Sequence, residues 1–217
     1  MKKVAVILSG CGVFDGAEIY EAVLTLLAIR QQGASYQCFA PDKEQLHVVN
    51  HRTGEVAEGE SRNVLTEAAR VCRGEIKPVT ECKVEDFDAL ILPGGFGAAK
   101  NLCTFAVDGA ESKPDADVLA VCKAFADARK PAGYACIAPA LAASVYQDGV
   151  KLTIGTDEPT AGGINALGAT HINCDVDDVV IDTDRKLVTT PAYMLAGDIL
   201  EAQAGLEKMV KSVLAMK

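Results

Sequence analysis

Two stretches of the chain, residues 4–8 and Ala89–Leu92, are wholly apolar and run directly into glycine-rich turns, Ser9-Gly10-Cys11-Gly12 and Pro93-Gly94-Gly95-Phe96-Gly97. Runs this short, without polar alternation, read as strands covered on both faces, which is the pattern of a parallel sheet. Parallel neighbours need a crossover between them, usually a helix. The segment after the first run supplies one, because Ile19, Val23, Leu26, Leu27 and Ile29 recur at helical spacing within residues 17–32. Gly33 closes that helix, since glycine tolerates the left-handed conformation of a helix end.

The alternation continues. Residues 36–40 read as a second strand, 47–60 as a loop or small hairpin, and 62–71 as a helix. Residues 118–128 form a further helix and 131–135 return to the sheet. Past Val150 the pattern changes: 152–154 read as a short strand, 164–167 as a short helix, and 179–181 with 187–189 as a hairpin. A last helix from about Leu195 carries Ile199, Leu206, Met209, Val210, Val213 and Leu214 on one face. This order predicts an α/β fold, a doubly wound and mostly parallel sheet sandwiched by helices. No repeat or linker interrupts it, so residues 1–217 are expected to form a single domain.

Composition excludes several classes of function. With 49% hydrophobic and 24% charged residues the chain is ordinarily globular. A net charge of -9 leaves no basic footprint for a phosphate backbone, so no nucleic-acid partner is expected. No apolar run approaches the roughly 18 residues of a membrane-spanning helix. Lys2-Lys3 and Leu8-Ser9-Gly10-Cys11 imitate a lipoprotein signal, but the run between them is at the lower limit for a signal core and reads as the first buried strand. The eight cysteines lie singly in apolar or helical patterns, with no C-x-x-C pair and no zinc-site spacing. Most read as small buried hydrophobes in a reducing compartment, which points to the cytoplasm and to no metal.

In such folds ligands bind beyond the carboxyl ends of the strands. Three strand ends stand out: Gly10 to Gly16, opening a helix that carries Glu18 and Glu21; the Pro93-Gly94-Gly95-Phe96-Gly97 turn; and Cys136, between an apolar strand and an alanine-rich run. The first has a G-x-G-x-x-x-G spacing, with Asp42 as a candidate ribose partner. A lone glycine pattern is weak evidence for a dinucleotide and leaves the other two ends unexplained. The third reads as a nucleophile elbow, where a sharp strand-to-helix turn presents the side chain and the next N–H helps to form an oxyanion hole. The helix dipole there is expected to lower the thiol pKa, and Pro139 suits the first helical turn. A structural cysteine fits the same spacing, and spacing alone leaves both readings open. Glu18 and Glu21, three apart, share a helix face, so either could reach the site.

Leu92-Pro93-Gly94-Gly95 with Gly97 and Asn101-Leu102, the Cys136-x-x-Pro139 elbow and a first-helix glutamate together resemble the superfamily of the parkinsonism-associated deglycase, PfpI-type proteases and class I glutamine amidotransferases. Residues 8–16, 61–65, 93–102 and 189–192 narrow the resemblance to the enhancing-lycopene-biosynthesis (ElbB-like) branch. It implies a flavodoxin-like sandwich, usually a homodimer, with Cys136 as nucleophile and Glu21 as its carboxyl partner. Gly95 and Ile137 would form the oxyanion hole, and Gly94, Lys100 and Asn101 would bind substrate. Members of the branch are reported as cofactor-independent glyoxalases that convert glyoxal to glycolate, which implies a small α-oxoaldehyde substrate and no cofactor.

The sequence departs from the superfamily pattern in two places. Ile137 follows Cys136 where related branches place a histidine beside or near the nucleophile, and residues 152–157 contain none; the histidines are His47, His51 and His171. A carboxyl group must then move the proton. Tyr134 is also bulkier than the small residue usual two places before an elbow nucleophile. A redox-sensing or chaperone-like stress protein that oxidises Cys136 to a sulfinate, or a cysteine hydrolase or amidotransferase, would use the same residues.

Overall fold

The structure, a computed structural model, describes residues 1–146 and 149–216. In chain order the elements are β1 (Lys3–Ile7), α1 (Ile19–Gln31), β2 (Ser35–Ala40), β3 (Val49–Asn50), β4 (Glu55–Val56), α2 (Val64–Val71), β5 (Ile76–Pro78) and β6 (Ala89–Leu92). There follow α3 (Phe96–Lys100), α4 (Phe105–Asp108), α5 (Ala116–Asp127), β7 (Ala132–Ala135), α6 (Pro139–Tyr146), β8 (Lys151–Leu152) and α7 (Glu158–Ala166). The chain ends with β9 (Thr170–His171), β10 (Val180–Asp182), β11 (Leu187–Thr190) and α8 (Ile199–Ala215).

Seven strands form the main sheet in the order β10-β11-β7-β6-β1-β2-β5. All its pairings are parallel except that of β10 with β11. Because side chains alternate along a strand, the sheet feeds two apolar layers. Val4, Val6, Leu8 and Ile91 pack with residues of α1, α2 and α8, including Leu26, Ile29, Met209 and Val213. Ile7, Leu90, Leu92 and Tyr134 pack with Phe125 of α5 and Leu141 of α6 on the other side. This is the expected α/β sandwich. Tyr134 belongs wholly to the second layer, its ring 6.3 Å from that of Tyr146, so its bulk lies across the sheet from Cys136, which packs in the first layer.

Local chemistry sets the helix starts. Asn63, Asp115, Asp157 and Asp198 are N-caps whose side chains accept N–H bonds from the first turns of α2, α5, α7 and α8. The helix expected over 164–167 is therefore the end of a longer one beginning at Glu158. Thr160, Gly162 and Gly163 are poor helix formers and hid its first turns. The last helix starts at Ile199, since Ala192–Met194 form a separate 3-10 turn. The strand expected over 152–154 is Lys151–Leu152 and pairs in parallel with Thr170–His171. The loop or hairpin of 47–60 is a hairpin of two-residue strands. Among the described residues no helix is long and apolar enough to cross a membrane.

Strand order reverses beside β1, with β2 and β5 to one side and β6, β7 and β11 to the other. The crevice beyond the carboxyl ends of β1, β6 and β7 is where a ligand site is expected.

Candidate active site

The chain leaves β7 at Ala135 and turns at once. Cys136 adopts φ +59°, a conformation L-residues avoid, at a cost of order 1–3 kcal/mol. Its N–H donates to Thr190 O at 2.9 Å, extending the pairing with β11, and Ala138 N–H returns to Ala135 O at 2.9 Å. Two hydrogen bonds therefore pin the elbow, and Pro139 begins α6 just beyond it.

Opposite stands Glu21, in the first turn of α1 and fully buried. Its Oε2 accepts the Gly94 N–H at 2.8 Å and its Oε1 the Tyr193 N–H at 3.1 Å, and across Gly94 its carboxyl faces Cys136. Glu18 has different work: it is the N-cap of α1, with its Oε2 accepting the Glu21 N–H at 2.6 Å. The two carboxyls that sequence left as alternatives are thus distinguished by direction. Glu21 points to the thiol, and Glu18 closes the helix and borders the cavity.

The second strand end brings β6 to the same point. A Cβ on Gly94 would lie 2.3 Å from Cys136 Cβ and 2.8 Å from Glu21 Oε2, so no larger residue fits between them. Gly95, at φ +93°, would place a Cβ 2.3 Å from Glu18 N. The Gly95 and Ile137 N–H groups lie near enough to the Cys136 sulfur to favour its thiolate. Donors beside a nucleophilic sulfur are one requirement of an oxyanion hole.

Burial pushes Glu21 up to about 7, and the neighbouring Glu18 adds to the rise, against the N–H bonds of Tyr193 and Gly94. Burial also pushes the Cys136 thiol well above its ordinary range, and the Glu21 charge acts in the same direction; the Gly95 and Ile137 N–H groups oppose both. The thiol lowered by a helix dipole, expected from sequence, is not what the structure shows. The sulfur lies too deep, and beside a carboxyl, for one short helix to decide its ionisation. Selective labelling of Cys136 at acidic pH is accordingly not expected.

Above the thiol lies a cavity of about 360 Å³. Val13, Phe96, Phe105, Ile137 and Met194 supply apolar walls, and Glu18, Thr160 and Tyr193 the polar side chains. Lys100 and Asn101 lie elsewhere. Lys100 Nζ donates to Phe14 O at 2.8 Å and sits 5.4 Å above the Phe96 ring. Asn101 is buried, donating to Ser9 O and Asp15 O at 2.9 Å each and accepting from Leu46 N at 3.0 Å. Both tie the β1–α1 loop to α3, and neither lines the cavity.

The 189–192 block proves informative in another way: the turn after β11 delivers the Tyr193 N–H to Glu21, with the Tyr193 ring 6.2 Å from Tyr20. Sequence reasoning missed Tyr193, although it follows a strand end like the other site residues. None of the three histidines lines the cavity. His51 Nε2 accepts the Phe14 N–H and His171 Nε2 the Ile154 N–H, at 3.2 and 3.1 Å.

Gly16 packs against Gly95 and Gly97, with Cβ-to-backbone distances near 2.5 Å for either partner. The glycine loop thus serves close approach of two turns, and Asp42 accepts from Asn63 Nδ2 at 2.8 Å. Among the described residues no group of three or more His, Cys, Asp or Glu side chains is placed to hold a metal ion.

No family model matches the chain. It is 47% identical over 223 residues to human glutamine amidotransferase-like class 1 domain-containing protein 3, mitochondrial, covering 99% of this chain and 83% of that protein. The rat ES1 protein homolog, mitochondrial, is 46% identical over 223 residues, at 99% and 84% coverage. Among solved structures, an isoprenoid biosynthesis protein with amidotransferase-like domain from Ehrlichia chaffeensis superposes with a TM-score of 0.91 at 36% identity, covering 99% of this chain and 98% of that one. A buried Cys–Glu pair on an elbow of an amidotransferase-like sheet, with relatives this similar along their length, places the chain in the ES1 family of class I glutamine amidotransferase-like proteins.

Proposed function

We propose that the protein is a cofactor-independent glyoxalase that converts glyoxal to glycolate through a hemithioacetal on Cys136. The observation that carries this reading is the close facing of Cys136 and Glu21 across Gly94, beneath a cavity that Cys136, Gly95 and Ile137 line. Neither group ionises easily alone, so the proton leaves the thiol for Glu21 as sulfur attacks the aldehyde carbon. The resulting oxyanion is held by the Gly95 and Ile137 N–H groups. Glu21 returns that proton to the oxyanion, and its carboxylate then carries the C–H proton of this carbon to the adjacent carbon while the hydroxyl proton passes to the adjacent oxygen, which oxidises the first carbon to a thioester and reduces its neighbour to an alcohol. Water releases glycolate and the thiol. No external oxidant enters the balance.

The test is conversion of glyoxal by the purified protein, read as glycolate. Cys136→Ala is expected to abolish it with melting behaviour close to wild type. Retained turnover in the variant would sink the mechanism. A wild type that converts no oxoaldehyde, yet is oxidised by mild peroxide at Cys136, would favour the stress-sensor reading.

We also propose that the protein works as a homodimer. The outward face of α1 carries Ile19, Tyr20, Val23 and Leu27, all 42–52% exposed, beside Ile199 and Leu200 at the start of α8. A helix without a polar face is normally covered on every side. These side chains expose on the order of 500 Å², a large part of the roughly 800 Å² per partner of a stable interface. The eight free cysteines support a reducing compartment. We assign it as the cytoplasm; the human and rat relatives are themselves named as mitochondrial.

A further inference from the structure

Glyoxal has no side group, whereas the cavity over Cys136 measures about 360 Å³, within the range of pockets that enclose much larger organic molecules. Its polar lining is largely committed elsewhere. The Glu18 carboxylate accepts the Glu21 N–H, and the Thr160 hydroxyl donates to Asp157. Away from the thiol the wall is formed by Phe96, Phe105, Ile137 and Met194, and Phe96 is 49% exposed beside the cavity. No lysine or arginine is among its lining residues, while Glu18 is, so a phosphate or carboxylate on the substrate would meet no counter-charge. A hydroxylated substituent would lose water without replacing all its hydrogen bonds.

We infer that the preferred substrate is an α-oxoaldehyde bearing an apolar aryl or alkyl group, which occupies the space bounded by Phe96, Phe105, Ile137 and Met194. The inference rests on the glyoxalase reading and keeps its chemistry. The Cys136 sulfur bonds to the aldehyde carbon, Glu21 carries that carbon's C–H proton to the neighbouring carbon, and the hydroxyl proton passes to the neighbouring oxygen. The aldehyde carbon is oxidised to the thioester level as the ketone is reduced to an alcohol. Water then cleaves the carbon–sulfur bond to give the 2-hydroxy acid. The apolar group takes no part in bond making; it adds binding that a bare dialdehyde cannot obtain.

The experiment compares glyoxal, methylglyoxal and phenylglyoxal, reading glycolate, lactate and mandelate by chromatography, with Cys136→Ala as the blank for reaction outside the site. Burying a phenyl group in such a pocket is expected to raise kcat/KM for phenylglyoxal about tenfold or more above that for glyoxal, with methylglyoxal between them. Phe105→Ser is expected to lower the phenylglyoxal-to-glyoxal ratio about fivefold or more. An unchanged ratio in that variant would overturn the placement of the substituent on this wall. Turnover of glyoxal equal to or better than that of phenylglyoxal in the wild type would overturn the substrate inference and leave the glyoxalase reading standing. Failure to convert any of the three would overturn both.

Discussion

The buried carboxyl of Glu21 titrates near neutrality because its protein partners replace only part of the water it lost, and this affects both rate and stability. With its native value near 7 against an ordinary 4.5, the folded protein binds a proton that the unfolded chain releases in that interval. The associated stability, about 3 kcal/mol for such a shift, is fully present below pH 4.5 and is lost as pH rises through about 7. Urea unfolding of wild type and Glu21→Gln at pH 5 and pH 8 should show a shallower pH dependence in the variant. In the proposed mechanism the reactive state is the Cys136–Glu21 pair holding one proton between them. For the wild type, kcat/KM should therefore climb with pH through about 7 and then level. Glu21→Gln cannot carry the proton and should lose about 10²-fold or more together with that inflection. Glu18→Gln should lose far less, since that carboxyl caps the helix and does not touch the thiol.

Among the elements, the approach of two turns decides whether the site assembles. Gly16, leaving the β1–α1 loop, and Gly97, in α3, touch backbone to backbone, and a Cβ on Gly97 would lie 2.5 Å from Gly16 Cα. Neither turn can yield easily: the Gly97 N–H donates to Gly16 O at 2.9 Å, the Phe96 N–H to Val13 O at 2.8 Å, and Asn101 fastens the same loop. Gly97→Ala is expected to cost about 1–3 kcal/mol of stability through overpacking. It should also lower kcat/KM at least about tenfold, because Gly95, two residues before it, places its N–H near the Cys136 sulfur, where the proposed mechanism needs a donor. Chemical denaturation and steady-state rates check the two parts separately. A stable variant with unchanged rates would show that the donor position does not depend on this contact.

For the whole molecule, the distribution of apolar surface is the informative property. A net charge of -9 keeps copies of the chain apart at long range, yet α1 exposes a nearly uncharged face, with Arg30 the exposed charge at its far end. Val23→Glu places a carboxylate in the middle of that face, where a symmetric partner would desolvate it and its copy together. Light scattering should find the wild type dimeric and the variant monomeric at micromolar concentration. A wild type that is monomeric there would overturn the dimer proposal.

The sequence alone was enough to establish the alternation of strands and helices, because a wholly apolar run and a helical stripe are local patterns that report their own burial. It was also enough to locate Cys136, Gly94 and Gly95 at strand ends, since a doubly wound sheet gathers its strand ends at one crevice. It did not reveal β5, whose three residues include Pro78 and which pairs only with β2 at the sheet edge; a proline is tolerated there and leaves no periodic signal. Nor could it separate Glu18 from Glu21, send Tyr134 to the far side of the sheet, or commit Asn101 to the loop it fastens. Each of these depends on where a side chain points once the elements pack. The direction of the Cys136 ionisation was likewise decided only by tertiary structure: a dipole is a property of one helix, whereas desolvation and a facing carboxyl arise only when three strand ends close on the same sulfur.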